Sequence, residues 1–166
     1  LATGGRAREL PNLKIDNEKV IGYRKAMVLE KKPKSMVIVG SGAIGVEFAY
    51  VYASIGVDVT IVEFMPRIVP NEDADVSKQL ERDYKKKGIK IMTKSAVKSV
   101  DTSGKGCKVL VETKKGEETI ECDIVLSAVG VSTNLEGIGL EDVGIATDAG
   151  KVLVNEYYQT NIPSVY

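Results

Sequence analysis

The feature that most constrains this chain is a glycine-rich run, Gly40-Ser41-Gly42-Ala43-Ile44-Gly45, which lies between a strand-like and a helix-like segment. Ser35–Val39 before it is almost entirely apolar, which is typical of a strand buried on both faces of a parallel sheet. Ala43–Ile55, which begins inside the run, is mostly apolar and predicts a helix. A GxGxxG pattern alone is weak evidence, but in this setting it predicts a βαβ unit that binds a dinucleotide.

Each glycine of the run has its own physical task. Gly40 permits the tight turn out of the strand, Gly42 lets the backbone approach a pyrophosphate, and Gly45 allows the helix to pack close to the sheet. The helix N-terminus then presents free N–H groups and partial positive charge to the phosphates. Glu47 is placed by the sequence in the first turn of this helix. A carboxylate there also suits the helix dipole, so the residues alone leave its role open.

An acidic residue ends the second strand-like segment, Val57–Glu63. Glu63 follows Gly45 by 18 residues (63 − 45), near the spacing of about 20 at which such an acid meets the adenosine ribose. Its carboxylate can accept hydrogen bonds from both ribose hydroxyls and would repel a 2′-phosphate. The sequence therefore predicts NAD rather than NADP as the ligand, with Arg67 left open as a cation that could turn toward a phosphate.

Other segments predict the surrounding elements. Lys19–Lys32 predicts a helix that Pro33 stops, and Asp75–Lys87 predicts a second helix from apolar residues at every fourth position. Ile124–Ala128 predicts another buried parallel strand. Turn signals at Ser103-Gly104 and Lys115-Gly116 separate short strand-like stretches that predict an inserted antiparallel meander: Ile89–Met92, Val97–Asp101, Lys108–Thr113 and Glu118–Cys122. A later strand is predicted at Val152–Val154.

Composition excludes several function classes. The 166 residues carry 23 basic and 23 acidic side chains, so no global field attracts nucleic acid or an acidic membrane. The apolar runs are too short to span a bilayer, which predicts a soluble, cytoplasmic protein. No histidine is present, which removes the commonest general base and metal ligand and predicts no metal site. Cys107 and Cys122 match neither a CxxC motif nor a zinc ribbon, and are expected to be small apolar residues of strands.

Several stretches together resemble the FAD-dependent pyridine nucleotide–disulfide oxidoreductases. The most specific is the GxGxIGxE form within Val39–Ala49, joined by Ala2-Thr3-Gly4, Thr60–Glu63 and Ala128–Gly130 with Asn134. The terminal segment from Tyr157 to Tyr166 also matches. The resemblance implies a Rossmann-like α/β fold of the FAD/NAD(P)-binding type, with the antiparallel β-meander inserted in it.

The domain organisation implied by this resemblance is an NAD-binding domain flanked by parts of another domain. Pro33–Gly130 would be the NAD-binding domain, and Leu1–Lys32 and Val131–Tyr166 would be strips of an FAD domain. Both chain ends read as cut from something longer. Because their sheet partners would lie outside this chain, the strips are expected to be partly disordered or paired with another copy.

The resemblance also assigns roles to single residues. It places Glu47 near the nicotinamide and flavin, the backbone of Val97 against the adenosine half, and Gly130 at the turn over the nicotinamide. Motif and resemblance together predict fourteen cofactor-binding residues, and no catalytic residue, in this chain: Gly40, Ser41, Gly42, Ala43, Ile44, Gly45, Val46, Glu47, Glu63, Val97 and Gly130 for NAD, and Thr3, Gly4 and Gly5 for FAD.

The activity implied by the resemblance is the reoxidation of protein-bound dihydrolipoamide. Electrons would pass from the dithiol through a redox disulfide and FAD to NAD. The implied parent is a homodimer whose partner is the lipoylated acyltransferase subunit of a 2-oxo acid dehydrogenase complex. The family's CxxxxC pair and catalytic His–Glu pair are not in this chain, which is therefore expected to bind NAD weakly and catalyse nothing alone. Val131 stands where many members have Arg.

Three alternatives remain open at the level of sequence. One is a stand-alone NAD-binding or redox-sensing module. Another is a different NADH-dependent flavin enzyme of the same superfamily, such as an NADH oxidase or a mercuric reductase. A glutathione reductase is disfavoured, because its NADP would require cations where Glu63 stands. A methyltransferase also uses a glycine loop and an acid, but the meander and Ala128–Gly130 fit it poorly.

Overall fold

The computed structural model describes residues 1–166, which form two compact units: Ala7–Gly130, and Leu1–Arg6 with Val131–Tyr166. The helices are α1 (Tyr23–Ala26), α2 (Ala43–Ser54) and α3 (Ala74–Lys86). The strands are β1 (Gly5–Ala7), β2 (Val20–Ile21), β3 (Ser35–Val39), β4 (Asp58–Val62), β5 (Lys90–Met92), β6 (Ala96–Asp101), β7 (Cys107–Thr113), β8 (Gly116–Cys122), β9 (Ile124–Ser127), β10 (Val131–Thr133), β11 (Thr147–Asp148) and β12 (Lys151–Val152). None of the helices combines the length and the apolar character needed to cross a membrane.

A five-stranded parallel sheet in the order β2-β9-β3-β4-β5 forms the centre of the unit Ala7–Gly130. Val39 pairs with Val62 on β4 and with Ser127 on β9, so these three strands end at the same edge. Ligands of open parallel sheets bind outside this carboxyl edge. The predicted α/β fold with a glycine-loop βαβ unit is confirmed.

Two apolar cores lie on the two faces of this sheet, which is why its strands are apolar on both sides. Side chains alternate between the faces along each strand. One core packs beneath the helices and includes Ile38, Ala49, Ile61, Tyr84 and Leu126. The other packs beneath the meander and includes Val37, Val62, Val109, Val111 and Val125.

The two long helices agree with the sequence prediction. Helix α2 starts at the predicted residue, and α3 starts one residue earlier than predicted. Asp73 caps α3 by accepting a hydrogen bond from the N–H of Asp75 at 2.8 Å. The hydroxyl of buried Tyr84 on α3 donates to the Val46 carbonyl at 2.7 Å, which ties α3 to α2.

The predicted helix over Lys19–Lys32 is wrong: β2 and the four-residue α1 occupy this segment. The carboxylate of Asp16 accepts hydrogen bonds from the N–H groups of Glu18, Lys19 and Val20, which turns the chain before a helix could start. Val20 and Ile21 then pair with β9 and are buried. Pairing with β9 therefore buries these two apolar side chains and provides hydrogen-bond partners for their backbone.

The predicted four-stranded meander is wrong in one strand. Lys90–Met92 pairs in parallel with β4 and belongs to the five-stranded sheet, whereas β6, β7 and β8 form a three-stranded antiparallel sheet. The connection from β4 through α3 to β5 is a βαβ crossover, which returns the chain to the same sheet. A short apolar run carries no signal that distinguishes these two partners.

The unit of Leu1–Arg6 and Val131–Tyr166 contains two strand pairs and an ion pair. Strand β1 pairs with β10, so these segments find a partner within this chain. Arg6 binds both carboxylate oxygens of Glu136, at 3.0 and 2.6 Å. The predicted strand Val152–Val154 is observed at Lys151–Val152, paired with β11. The assignment of both strips to an FAD domain stays a prediction.

The turn at Asp16 gives a prediction for stability. Although partial burial acts to raise it, the backbone N–H donors hold the pKa of Asp16 below its ordinary value of 3.8. A lowered pKa stabilises the fold above the ordinary value, and the stabilisation is lost as pH falls through the folded-state pKa. We expect Asp16→Ala to lower the free energy of unfolding by about 1 kcal/mol at neutral pH, measured by urea unfolding. The difference in the free energy of unfolding between Asp16→Ala and the original chain should become smaller in acid.

Glu18→Ala is the matched control, because its exposed side chain takes no part in this turn. An Asp16→Ala variant as stable as Glu18→Ala at neutral pH, or a deficit that persists unchanged in acid, would contradict the prediction.

Candidate functional site

A cavity of about 490 Å³ lies at the carboxyl edge of the parallel sheet, within the unit Ala7–Gly130. Its walls come from the ends of β3, β4 and β9, the start of β6, and an N-terminal loop. Its lining residues are Leu10, Asn12, Leu13, Val39, Gly40, Ser41, Gly42, Val62, Glu63, Phe64, Ser95, Ala96, Val97, Ala128, Val129 and Gly130. This is the place at which a dinucleotide-binding sheet holds its ligand.

Two of the three motif glycines, Gly40 and Gly45, fulfil the folding tasks that the sequence predicted. Gly40 has φ +98°, and a Cβ there would lie 2.5 Å from the Ala128 carbonyl oxygen. A Cβ on Gly45 would lie 2.1 Å from the Gly40 carbonyl oxygen, so α2 packs directly against the end of β3. A Cβ on Gly42, in contrast, would meet nothing within 4 Å. Gly40 and Gly45 are therefore required by the fold, whereas Gly42 faces open space.

The N-terminus of α2 is uncapped. Gly42 occupies the N-cap position without any side-chain hydrogen bond, and the first turn contains no acidic residue. Its N–H groups and its partial positive charge are thus available to an anion. Glu47 is the fifth residue of α2, so the prediction that it lies in the first turn is wrong.

Glu63 is joined to the glycine loop by hydrogen bonds. Its side chain is buried, and its Oε2 accepts from the Ser41 N–H at 2.7 Å and from the Ser41 hydroxyl at 2.5 Å. Its Oε1 accepts from the Met65 N–H at 2.7 Å. A buried charge requires such donors. The acid and the loop, which the sequence predicted to hold one dinucleotide, are therefore also joined directly to each other.

The loop after Glu63 packs back onto the glycine run. The N–H of Val69 donates to the Ser41 carbonyl at 2.9 Å, with Val69 at φ +40°, a region that β-branched residues rarely adopt. Arg67 donates from one guanidinium nitrogen to the carbonyls of Pro70 and Glu72, at 2.9 and 3.2 Å. One guanidinium nitrogen of Arg67 is therefore engaged within its own loop, and Arg67 is not among the residues that line the cavity.

The structure brings together part of the predicted site. Gly40, Ser41, Gly42, Glu63, Val97 and Gly130 all line the cavity. Ala43, Ile44, Gly45, Val46 and Glu47 belong to α2 and are not among its lining residues. Glu47 is exposed, and its charge adds to burial in raising the pKa of Tyr84. Its predicted role near the nicotinamide stays a prediction.

One wall of the cavity was missed by sequence reasoning. Leu10, Asn12 and Leu13 form a turn in which Leu13 is buried and Leu10 bridges to it. The side-chain amide of Asn12 donates to the Val97 carbonyl at 2.5 Å. Pro11-Asn12 is a turn signal, but no local pattern indicates that this turn folds over a site 85 residues away.

The three residues predicted to contact FAD lie in the other unit. Thr3 and Gly4 line a cavity of about 410 Å³ there, together with residues such as Thr133 and Tyr166. Gly5 does not line it, and a Cβ there would lie 2.7 Å from the Val131 side chain. Close packing of β1 on β10 is thus sufficient to require glycine at position 5. The FAD contacts stay a prediction.

The sheet, the glycine loop and the buried acid define an α/β dinucleotide-binding protein of the Rossmann type. Comparison with known families narrows this class: a family model described as pyridine nucleotide-disulphide oxidoreductase matches residues 1–166. This chain belongs to that family, which confirms the resemblance inferred from its motifs.

Curated relatives are similar over the whole of this chain. The dihydrolipoyl dehydrogenase of Mycobacterium leprae is 44% identical over 167 residues, covering 100% of this chain and 36% of the relative. The mitochondrial dihydrolipoyl dehydrogenase of Pisum sativum is 41% identical and is covered to 34%. The leghemoglobin reductase of Glycine max is 42% identical and is covered to 32%. The chain thus spans about a third of the length of these relatives.

Solved structures agree with this assignment. LpdA from Mycobacterium tuberculosis has a TM-score of 0.87 and 33% identity, over 99% of this chain and 35% of its own. The flavoprotein disulfide reductase RclA from Escherichia coli has a TM-score of 0.83 at 24% identity, over 99% of this chain and 37% of its own. The second similarity concerns the fold alone.

The contact at Gly45 gives a prediction for stability. We expect Gly45→Ala to lower the free energy of unfolding by about 1–3 kcal/mol, because its Cβ would meet a backbone oxygen that cannot rotate away. Urea unfolding followed by circular dichroism measures this. Gly42→Ala is the matched control and should remain within about 0.5 kcal/mol of the original chain. Equal stability of the two variants would refute the packing argument.

Proposed function

We propose that the cavity binds NAD, with the pyrophosphate at the N-terminus of α2 and the adenosine ribose at Glu63. The observation that carries this proposal is the hydrogen-bonded link between Glu63 and Ser41, because it fixes a ribose acceptor beside an uncapped helix N-terminus. The open space at Gly42 supports the approach of a pyrophosphate, since a side chain there would occupy it.

The hydrogen bonds of Glu63 limit how the ribose is held. A carboxylate oxygen has two lone pairs, and Oε2 already accepts two hydrogen bonds from Ser41. Oε1 accepts one, from Met65, and so keeps capacity for one ribose hydroxyl. A second hydroxyl reaches Glu63 only if the Ser41 hydroxyl rotates away. The binding of both hydroxyls, expected from the sequence, therefore requires a rearrangement at Ser41.

Charge supports NAD over NADP as the ligand. A 2′-phosphate would approach the buried Glu63 carboxylate, where two like charges in a site of low dielectric repel each other. Arg67 does not line the cavity, and one of its guanidinium nitrogens is held by the Pro70 and Glu72 carbonyls, so no cation of the lining neutralises such a phosphate.

In the proposed parent enzyme this chain supplies the NAD platform of a dihydrolipoyl dehydrogenase. FAD, when bound to that enzyme, supplies electron transfer between a dithiol–disulfide couple and NAD. The residues of this chain bind and orient NAD, and the chain alone is inactive in this proposal. The parent is a cytoplasmic homodimer that serves the lipoylated acyltransferase subunit of a 2-oxo acid dehydrogenase complex. The identity to dihydrolipoyl dehydrogenases over 100% of the chain supports this proposal.

Gly42→Ala separates ligand binding from folding. Its methyl group fits the folded chain but fills the space proposed for the pyrophosphate, so we expect NADH affinity to fall about tenfold or more at unchanged stability. Fluorescence titration with NADH measures the affinity. Gly104→Ala is the matched control, since it also meets no neighbour and lies in a turn outside the cavity. Wild-type affinity in Gly42→Ala would rule out this pyrophosphate position.

Glu63→Gln tests the ribose contact and the choice of coenzyme. Removing the charge removes the repulsion of a 2′-phosphate, so we expect the preference for NADH over NADPH to fall by about tenfold. Parallel fluorescence titrations with the two coenzymes measure this ratio. Glu118→Gln, the same change on an exposed strand outside the cavity, should leave the ratio unaltered. Equal affinity for both coenzymes in the unsubstituted chain would contradict the proposal at once.

A further inference from the structure

The two cysteines of the chain, Cys107 and Cys122, face each other across adjacent strands. Cys107 begins β7, Cys122 ends β8, and the two are direct partners in the antiparallel register. Both are reduced and buried, as the sequence predicted for small apolar residues of strands. Their pairing was not predicted from the sequence, in which 14 residues separate them (122 − 107 − 1).

This register is compatible with a disulfide bond. Direct cross-strand partners have Cβ atoms about 4.5–5.5 Å apart, and a disulfide requires about 3.5–4.5 Å. A small approach of the two strands therefore brings the sulfurs into bonding range. The site is the open end of the β7–β8 hairpin, whose far end is the turn between Thr113 and Gly116.

A cleft of about 430 Å³ gives access to this pair from outside. Both cysteines line it, together with Ser35 and the turn that runs from Asp101 to Gly106. It lies apart from the proposed NAD cavity, with which it shares no lining residue. A small uncharged oxidant in this cleft would therefore lie beside two cysteines that are otherwise covered by protein.

The surroundings make the two thiols unequal. Interaction with the Cys122 thiol and the positive charge of Lys19 hold the pKa of Cys107 below its ordinary value, against the opposing effect of burial. The same interaction, together with burial, raises the pKa of Cys122. The Lys19 ammonium is held beside the cleft by hydrogen bonds to the carbonyls of Thr102 and Gly104. These directions, together with the position of the Cys107 sulfur 3.8 Å from the Lys19 carbonyl oxygen, favour Cys107 as the nucleophile and Cys122 as the resolving thiol.

We propose that Cys107 and Cys122 form a peroxide-reactive thiol pair that closes to an internal disulfide. The Cys107 thiolate attacks hydrogen peroxide: an S–O bond forms, the O–O bond breaks, and the leaving hydroxide takes a proton to become water. The Cys122 sulfur then attacks the Cys107 sulfenic sulfur. The S–S bond forms, the S–O bond breaks, and the thiol proton leaves with the hydroxide as a second water. Two electrons pass from the thiols to the peroxide.

A metal site is not the explanation for this pair. No group of three or more His, Cys, Asp or Glu side chains in the structure is arranged to hold a metal ion, and two thiolates alone do not complete the usual tetrahedral set. Nor does the proposal depend on the NAD function, because no residue of the NAD cavity takes part in it.

The test exposes the reduced 166-residue chain to hydrogen peroxide, unfolds it in an alkylating reagent and determines its mass. We expect the loss of both free thiols with a mass lower by two hydrogen atoms, and a proteolytic fragment that links Cys107 to Cys122. Disulfide-linked dimers without this fragment, or two thiols that stay alkylatable while free glutathione in a parallel tube is oxidised by the same peroxide, would overturn the proposal.

Single variants test the assigned roles with a separate readout. In Cys122→Ser we expect a sulfenic acid at Cys107, trapped by dimedone. In Cys107→Ser we expect dimedone labelling at Cys122 to be at least about tenfold slower than labelling of Cys107 in Cys122→Ser, because the thiolate form of Cys122 is disfavoured. Equal labelling of the two variants would overturn the assignment of Cys107 as nucleophile. The cross-linked fragment from the unsubstituted chain remains decisive if either variant folds poorly.

Discussion

The contact between Gly45 and the carbonyl oxygen of Gly40 is the constraint on which the rest of the site depends. With 2.1 Å between that oxygen and a hypothetical Cβ, α2 can begin directly at the end of β3 only if position 45 has no side chain. That placement sets the uncapped helix N-terminus at the carboxyl edge of the sheet. It also brings Ser41 within hydrogen-bond distance of the acid that ends the neighbouring strand.

The link between Ser41 and Glu63 turns two motif elements into one site. The parallel register of β3 and β4 brings Val39 opposite Val62, so the residues that follow them emerge side by side. Ser41 then neutralises part of the cost of burying the Glu63 carboxylate by donating two hydrogen bonds. The same bonds hold the carboxylate in one orientation before any ligand arrives, which reduces the entropy lost on binding.

Sequence reasoning succeeded where the physical requirement is local. The need for glycine at positions 40 and 45, the strand at Ser35–Val39 and the spacing to Glu63 all follow from short-range geometry, and the structure agrees with them. It failed where a partner lies far along the chain. Val20–Ile21 pairs with β9 about a hundred residues later, and the bond from Asn12 to Val97 spans 85 residues. Neither leaves a periodic pattern that could be recognised in advance.

The proposed NAD site at the glycine loop and Glu63 is tested by mapping the ligand on the protein. Amide shifts of the isotope-labelled chain, recorded during titration with NAD, report which backbone groups the ligand reaches. If NAD binds as proposed, we expect the largest changes at Gly40–Val46, Glu63–Met65, Ser95–Val97 and Ala128–Gly130. Changes confined to the unit that contains Thr3 and Gly4, or no change at millimolar NAD, would contradict the claim that the glycine loop and Glu63 form one NAD site.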